Sequence, residues 1–248
     1  MDYHWLDRRN AESFGRQAAA YERARPSYPT DAVAWLIGEA RRVADVGAGT
    51  GKLTRVLAGL GREVVAVEPD DAMRAELEAS VPGVSAVKGR GEHLPLADAS
   101  VDAVTYGQAW HWVDPAVASR EAGRVLTETG TLGLVWNLRD PSEGWVARLA
   151  EIVPPAPGEV MAMSGEPPVG LPFAHAEEGR WTWTRTVTPD DVLDMMTSRS
   201  HLITAPAAER TRILGGVRDL LDTTHPATTG RATVQVPYVT IAWRLTRG

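Results

Sequence analysis

Residues 43–51 read Val-Ala-Asp-Val-Gly-Ala-Gly-Thr-Gly, and this stretch decides the fold of the chain. Its first four residues predict a buried strand, and its three alternating glycines lead into a predicted helix over Lys52–Leu60. Glycine lets backbone approach a ligand closely, and a helix N-terminus presents free N–H groups to it. A second predicted strand, Glu63–Val67, is followed by Glu68, about 20 residues after Gly47, where nucleotide-binding α/β units place the acid that holds a ribose. The stretch therefore predicts a nucleotide site at the end of a parallel sheet.

Predicted strands and helices alternate through the first part of the chain. The strands are predicted at Val43–Val46, Glu63–Val67, Val84–Lys88, Val101–Tyr106 and Thr131–Trp136. The helices are predicted at Asp31–Ala40 with Thr30 as N-cap, Lys52–Leu60, Asp71–Ser80 and Pro115–Val125, and an earlier one at Ala11–Arg25. Strands and helices that alternate at this spacing predict a parallel, doubly wound sheet.

The alternation breaks after Asn137, where prolines become frequent around one predicted helix, Trp145–Ile152. We predict that residues 138–200 hold an insertion that covers the substrate, with a mobile loop as the other interpretation. Later elements are predicted at Gly179–Val187 (strand), Pro189–Ser198 (helix, Thr188 N-cap), Ala207–Asp222 (helix) and Gln235–Leu245 (strand). The whole chain, residues 1–248, is predicted to be one α/β domain. Its Rossmann-like sheet has seven strands, mostly parallel with an antiparallel C-terminal edge, and helices on both faces.

Composition limits the classes of function. Hydrophobic residues make up 44% of the chain, which suffices for a sizeable core, and the net charge of −6 argues against a nucleic-acid partner. The absence of cysteine excludes disulfides and thiolate chemistry, and the six separated histidines predict no metal site. The N-terminus lacks a signal-peptide core, and no apolar run approaches the roughly 18 residues of a membrane span. We expect a soluble, cytoplasmic protein without a membrane partner, either a monomer or a homodimer.

The glycine spacing distinguishes between nucleotides. A dinucleotide fingerprint needs a third glycine where Lys52 stands, and this argues against NAD and FAD. A P-loop pattern is not present either. Asp45 would repel a phosphate but would favour a ligand that carries an amino group. S-adenosylmethionine, an amino acid joined to a nucleoside, fits that description.

Further motifs follow the glycine turn in order along the chain. They are Val67-Glu68-Pro69 with Met73, residues 91–96 (GEHLPL), Ser100-Val101-Asp102, residues 108–114 (QAWHWVD) and Arg124-Val125-Leu126, with YERARPSYP at residues 21–29. Together they resemble the class I S-adenosylmethionine-dependent methyltransferases, close to the small-molecule branch with ubiquinone/menaquinone-biosynthesis and trans-aconitate-type enzymes. The resemblance is strong over residues 20–137 and weak beyond, and it implies that residues 1–30 form an N-terminal lid segment.

The resemblance implies S-adenosylmethionine as cofactor, S-adenosylhomocysteine as product and no metal. The residues it assigns to the cofactor are Tyr21, Arg25, Asp45, Gly47, Ala48, Gly49, Gly51, Glu68, Pro69, Met73, Gly91, Glu92, Gln108, Ala109 and Trp110. Arg90 stands where the family usually has an acid, so backbone at Gly91 and Glu92 is expected to read the adenine.

The predicted reaction is methyl transfer to an O, N or C nucleophile of a small molecule, with a carboxylate and a flat aromatic metabolite as two options. His111 is the candidate general base or substrate contact. The candidate substrate residues are Trp112, Asn137, Arg139 and Arg199, unless the arginines only cap helix ends. Two alternatives stay open: a regulator that binds S-adenosylmethionine without catalysis, and, less favoured, a nicotinamide-dependent oxidoreductase.

Overall fold

A computed structural model describes residues 25–199, 202, 205–225 and 233–248. Its strands form one seven-stranded sheet in the order β3-β2-β1-β4-β5-β7-β6. The strands are β1 Arg42–Val46, β2 Glu63–Val67, β3 Ser85–Val87, β4 Val101–Gly107, β5 Leu126–Arg139, β6 Phe173–Val187 and β7 Val234–Arg247. The predicted Rossmann-like sheet is confirmed.

The direction of the strands explains where a site forms. β1 lies parallel to β2 and to β4, with Val43 opposite both Val64 and Ala103. β3 and β5 extend the parallel part, whereas β7 is antiparallel to both β5 and β6, so the predicted antiparallel C-terminal edge is confirmed. The carboxyl ends of β2, β1, β4 and β5 therefore meet along one edge of the sheet, where ligands bind in open α/β folds.

Helices cover the sheet, and three of those described begin with a side-chain N-cap. They are α1 Thr30–Ile37, α2 Lys52–Gly59, α3 Asp71–Ser80, α4 Pro115–Val125, α5 Gly144–Ile152, α6 Pro157–Met163, α7 Pro189–Thr197 and α8 Ala207–Thr224, with a 3₁₀ turn at Trp110–Trp112. The Asp70 carboxylate caps α3 by accepting the N–H groups of Ala72 and Met73. The predicted N-cap of α7 is confirmed, because the Thr188 hydroxyl accepts the N–H of Asp191.

The first described helix differs from its prediction at both ends. Thr30 is not the N-cap, because it lies inside α1 and Pro29 precedes the helix without a side-chain cap. α1 ends at Ile37 rather than Ala40, because Gly38 follows with a φ of 53°, which terminates an α-helix. The predicted helix at Ala11–Arg25 lies outside the described residues except for Arg25.

The region after Asn137 is more regular than predicted. β5 and β6 are longer than their predicted strands, because each forms a long antiparallel ladder with β7. A second helix, α6, lies in the proline-rich part of residues 138–200 and starts with Pro157 in its first turn, a position that proline tolerates. Residues 138–200 therefore supply α5, α6, β6 and α7.

Two clusters of buried side chains flank the candidate site. One cluster lies on the sheet between β4, β5, β7 and α4, and includes Tyr106, Trp110, Trp136 and Trp243. The other joins α5, α7 and α8 to the adjacent ends of β6 and β7. Among the described helices, none has the length and apolar character that crossing a membrane requires.

Candidate active site

The glycine turn brings backbone to the carboxyl end of β1. Gly47 has a φ of 65°, and a Cβ on it would lie 2.6 Å from the Cβ of Ala109. The Gly47 N–H donates to Val67 O at 2.8 Å, which holds the turn against the end of β2. Any side chain at Gly47 would push Ala109 away from the turn, so this position requires glycine.

Glu68 is held at the end of β2 by the backbone of the turn. Its Oε2 accepts the N–H of Gly49 at 2.9 Å, and its Oε1 accepts the N–H of Asp70 at 3.0 Å. Burial raises the pKa of Glu68, whereas these two hydrogen bonds oppose the rise. A carboxylate has about four acceptor positions, so two are left for a ligand in the pocket that Glu68 lines.

Asp45 lies beneath the turn rather than on the pocket wall. It is fully buried, its Oδ2 accepts the Thr54 hydroxyl at 2.6 Å, and its Oδ1 lies 3.4 Å from the Thr105 hydroxyl. Burial raises the pKa of Asp45 to about 7, although both hydroxyls favour its ionised form. A cation bound above the turn would stabilise the Asp45 carboxylate.

The titration of Asp45 leads to a pH-dependent prediction for the ligand-free protein. The pKa of Asp45 is about 7 in the folded protein and 3.8 in the unfolded chain. The stability that protonated Asp45 contributes is therefore complete below about pH 3.8 and is lost as pH rises through about 7. The free energy of unfolding of the wild type should therefore fall by about 2–3 kcal/mol between about pH 5 and pH 8. Asp45→Asn cannot ionise at this position and should not show that fall. Urea unfolding of both proteins at the two pH values measures this difference. Parallel pH dependence in the two proteins would contradict the raised pKa.

A pocket of about 520 Å³ runs along the carboxyl ends of the strands from β2 to β5. At its β2 end lie Glu68, Pro69, Asp70 and Met73. Its other end is lined by His111, Trp136, Gly158 and Glu159, which we together call the β5 end. There α6 contacts both the 3₁₀ turn and β5. The pocket thus has room for more than the nucleoside that Glu68 would hold.

The middle of the pocket is formed by the end of β4. Gln108 has a φ of 53°, which is strained for a residue with a side chain, and its N–H donates to Val135 O at 2.8 Å. Tyr106 lines the pocket, and its hydroxyl is buried and makes no hydrogen bond within the described residues. A Cβ on Gly91 would lie 2.8 Å from this hydroxyl, so a larger residue at this position would press against it.

His111 and α6 are packed together at the β5 end. His111 is 8% exposed, and its Nδ1 is buried without a partner among the described residues. A Cβ on Gly158 would lie 2.8 Å from the His111 Cγ and closer still to Nδ1, so the backbone of α6 covers that face of the ring. Nε2 is thus the ring nitrogen through which His111 can meet a ligand. Burial lowers the pKa of His111 to about 4, with Glu159 opposing and Arg25 adding to the effect, so the ring is neutral near pH 7.

Charged side chains concentrate directly behind the β5 end. The guanidinium of Arg199 forms a buried bidentate ion pair with Glu159, with Nη1 to Oε1 at 3.1 Å. Glu159 also accepts the N–H of Ala156 at 2.7 Å, which fixes the first turn of α6. Burial opposes ionisation of Glu159, but Arg199 and Arg139 outweigh it and lower its pKa to about 2. Arg25 lines the pocket and donates to Ser198 O at 3.2 Å.

The structure brings most of the predicted site residues to this pocket. Its lining includes Arg25, Gly47, Gly49, Glu68, Pro69, Met73, Gly91, Glu92, Gln108, Ala109, His111 and Trp112. Four predicted cofactor residues, Asp45, Ala48, Gly51 and Trp110, are not part of the pocket lining, and the Trp110 indole N–H donates instead to Pro168 O at 2.9 Å. Tyr21 lies outside the described residues.

Three candidate substrate residues lie outside the pocket lining. Asn137 donates to Ser27 O at 3.0 Å and accepts the Thr240 hydroxyl at 2.7 Å, so its side chain ties β5 to neighbouring segments. Arg139 donates to Val153 O at 3.4 Å, and Arg199 pairs with Glu159. The two arginines can therefore act on a ligand through their charge, without lining the pocket.

Comparison with known proteins agrees with this geometry. Residues 44–134 match the family model of a methyltransferase domain. An uncharacterized methyltransferase of Mycobacterium tuberculosis is 47% identical over 240 residues, which covers 94% of this chain and 95% of that protein. The chain belongs to the class I S-adenosylmethionine-dependent methyltransferases. An uncharacterized methyltransferase of Schizosaccharomyces pombe is 31% identical over 220 residues, 85% of this chain and 88% of the relative.

A solved structure extends the similarity of this methyltransferase over the whole fold. A protein of Anaeromyxobacter dehalogenans assigned as a type II methyltransferase superposes with a TM-score of 0.69 at 27% identity. The superposition covers 90% of this chain and 97% of that one. No group of three or more histidine, aspartate or glutamate side chains that could hold a metal ion occurs in the described part of the methyltransferase.

Several residues of the methyltransferase site were absent from the sequence prediction. Tyr106, Gly158 and Glu159 line the pocket, although none was a candidate. Tyr106 lies in a strand and looks like an ordinary core residue in the sequence. Glu159 carries a weak signal, since a glutamate at the third position of a helix often reaches back to the N-cap backbone.

Substitution of Gly158 in the methyltransferase should reveal how tightly α6 packs on His111. Within a helix, alanine normally stabilises the folded protein relative to glycine by about 0.5–1 kcal/mol. At Gly158 the added Cβ would overlap the imidazole, so we expect Gly158→Ala to destabilise by about 1–3 kcal/mol. Thermal unfolding measures the change. Gly215→Ala, in α8 with no atom within 4 Å of its Cβ, is the control and should stabilise instead. A stabilised Gly158→Ala protein would contradict the close packing.

Proposed function

We propose that this protein transfers a methyl group from S-adenosylmethionine to a small-molecule nucleophile. The observation that carries the proposal is one continuous pocket, with a buried carboxylate and a glycine turn at one end and a chamber between His111, Trp136 and α6 at the other. The first part suits a nucleoside joined to an amino acid, and the second leaves room for an acceptor beside it.

The residues of the β2 end fit the proposed cofactor. The two free acceptor positions of Glu68 suit a pair of ribose hydroxyl groups. Met73 and Pro69 offer apolar surface for an adenine, and the unpaired Tyr106 hydroxyl is available to a polar atom of the ligand. Above Asp45, the backbone of Gly47 and Gly49 leaves space that side chains would fill. The Asp45 carboxylate, buried with a raised pKa, would be stabilised by the charge of an ammonium or sulfonium group.

The proposed reaction is an in-line displacement. S-adenosylmethionine supplies a methyl group that is already activated by positive sulfur. The protein's part is to align the acceptor with that carbon and to exclude water, and orientation of this kind is worth several kcal/mol. Gln108 and Ala109 line the middle of the pocket, where its two halves join, while Trp136 and Gly158 line the acceptor half.

Calorimetric titration tests the cofactor, and a radiolabel tests the reaction. We expect S-adenosylmethionine and S-adenosylhomocysteine to bind the protein and NAD to give no heat, because the third glycine of a dinucleotide site is replaced by Lys52. With tritium in the transferable methyl group, a metabolite extract should then acquire label. Binding of NAD in preference to S-adenosylhomocysteine would favour the oxidoreductase. Tight cofactor binding without any transfer would favour a regulator.

A further inference from the structure

Trp136 lines the pocket and carries a buried polar group that the cofactor site does not explain. The side chain is fully buried, lines the β5 end, and its Nε1 makes no hydrogen bond within the described residues. β5 lies three strands away from β2 in the sheet order, so Trp136 is remote from Glu68 and the ribose position. An indole N–H is a donor only, and buried donors are normally paired. A ligand at the β5 end is therefore expected to present an acceptor atom to Trp136.

Buried charge at the same end is predominantly positive. Arg199 and Arg25 act electrostatically on Arg139, and the Glu159 carboxylate opposes them. Burial and these neighbouring cations lower the pKa of Arg139 to about 10, which leaves it protonated at neutral pH. Even if Arg25 pairs with the carboxylate of the cofactor, the two positive charges of Arg139 and Arg199 exceed the single negative charge of Glu159 by one. Such an environment attracts an anion and repels an ammonium group.

The described titratable groups at the β5 end include no strong general base for neutral pH. Burial lowers the pKa of His111 to about 4, and Arg199 engages both oxygens of Glu159, whose pKa lies at about 2. A phenol or alcohol acceptor, with a pKa of about 10 or above, would need such a base to ionise. A carboxylic acid, with a pKa of about 4, is ionised before it binds.

We propose that the methyl acceptor is a carboxylic acid, bound as its carboxylate at the β5 end with one oxygen accepting the Trp136 indole N–H. This inference rests on the proposed function and names its substrate class. One carboxylate oxygen attacks the methyl carbon, the oxygen–carbon bond forms while the carbon–sulfur bond breaks, and sulfur keeps the electron pair. The products are a methyl ester and S-adenosylhomocysteine, and no proton moves. His111 then contacts the acceptor as a neutral ring and does not act as a base.

Calorimetric titration into the protein saturated with S-adenosylhomocysteine tests the charge requirement. The probes are octanoate, glutarate and benzoate, each compared with its amide, together with phenol and phenyl phosphate. At least one carboxylate should bind at least tenfold more tightly than its amide, because the amide lacks the charge that the arginines attract. Binding of phenyl phosphate in preference to every carboxylate would overturn the carboxylate in favour of a phosphate. Equal binding of acid and amide, or binding of none of the acids, would also overturn it.

Two tryptophan variants test the proposed hydrogen bond. Trp136→Phe removes the N–H and keeps an aromatic ring, so the Kd of the best carboxylate probe should rise about tenfold. Trp243→Phe is the matched control, since Trp243 is also buried, packs edge-on against Trp136 at 5.6 Å between ring centroids and does not line the pocket. The Kd of S-adenosylhomocysteine should be unchanged in both variants. Equal losses of carboxylate binding in the two variants would overturn the role of Trp136.

The chemical stability of the labelled product gives an independent readout. Methyl esters release methanol in alkali, whereas methyl ethers, methylamines and C-methyl products do not. Label that the protein transfers to a metabolite extract should therefore become volatile methanol after alkaline treatment. Alkali-stable label would overturn the carboxylate and leave the methyltransferase proposal intact. Failure of S-adenosylhomocysteine to bind would instead contradict the proposed function.

Discussion

Replacing Arg199 by methionine is expected to lower the free energy of unfolding by about 3–5 kcal/mol, the loss typical when one partner of a buried ion pair is removed. The side chains of Arg199 and Glu159 are only 3% and 11% exposed, so the carboxylate would be left in a buried site without its main counter-charge. Arg139 acts on Glu159 as well, but it forms no hydrogen bond with it among the contacts of the described residues. Urea unfolding monitored by circular dichroism measures the loss.

Two further variants make this prediction specific to the buried pair. In the double variant Arg199→Met with Glu159→Gln, no buried charge is left unpaired, and much of the lost stability should return. Arg212→Met breaks a surface pair with Glu209, in which the side chains are 71% and 45% exposed, and no measurable change is expected. A double variant less stable than Arg199→Met would contradict the assignment of the loss to an unpaired carboxylate.

Replacing Glu68 by alanine is expected to weaken S-adenosylmethionine binding at least a hundredfold. Each hydrogen bond between a charged group and a ligand contributes about 1.5–3 kcal/mol, and Glu68 offers two acceptor positions to the proposed ribose. The substitution also removes the acceptor of the Gly49 N–H, which helps to hold the glycine turn. Calorimetric titration with S-adenosylhomocysteine measures the effect. Glu63→Ala, at the exposed opposite end of β2, should leave the Kd unchanged. A Kd within threefold of wild type in Glu68→Ala would rule out the ribose role.

The part of the site that the sequence predicted is formed by residues that directly follow strands along the chain. The glycine turn, Glu68 and the end of β4 each directly follow a strand, and parallel strands that share a direction bring such residues to one edge. The fold class follows from the same alternation of strands and helices. The resemblance to methyltransferases rested on these segments as well, which explains why it covered residues 20–137 and faded afterwards.

The acceptor half depends on contacts between distant parts of the chain, which the sequence does not reveal. Glu159 and Arg199 are 40 residues apart and meet only because α6 and the end of α7 pack against the same part of the pocket. Gly158 is needed because a particular ring, that of His111, lies against it. α6 itself has only seven residues, too few for a clear helical period. The N-cap of α1 was mispredicted because Thr30 and Pro29 both favour a helix start.

The two edges of the sheet resist misassembly in different ways. An edge strand presents unpaired N–H and C=O groups on which a strand of another molecule can grow into an aggregate. β3 has only three residues and offers little length for such pairing. β6 has fifteen, and its exposed positions include Glu177, Glu178 and Arg180, charges that an added strand would have to desolvate. Substitutions that neutralise this charged edge would thus promote aggregation, and lower the yield and storage life of the protein, before they affected the reaction.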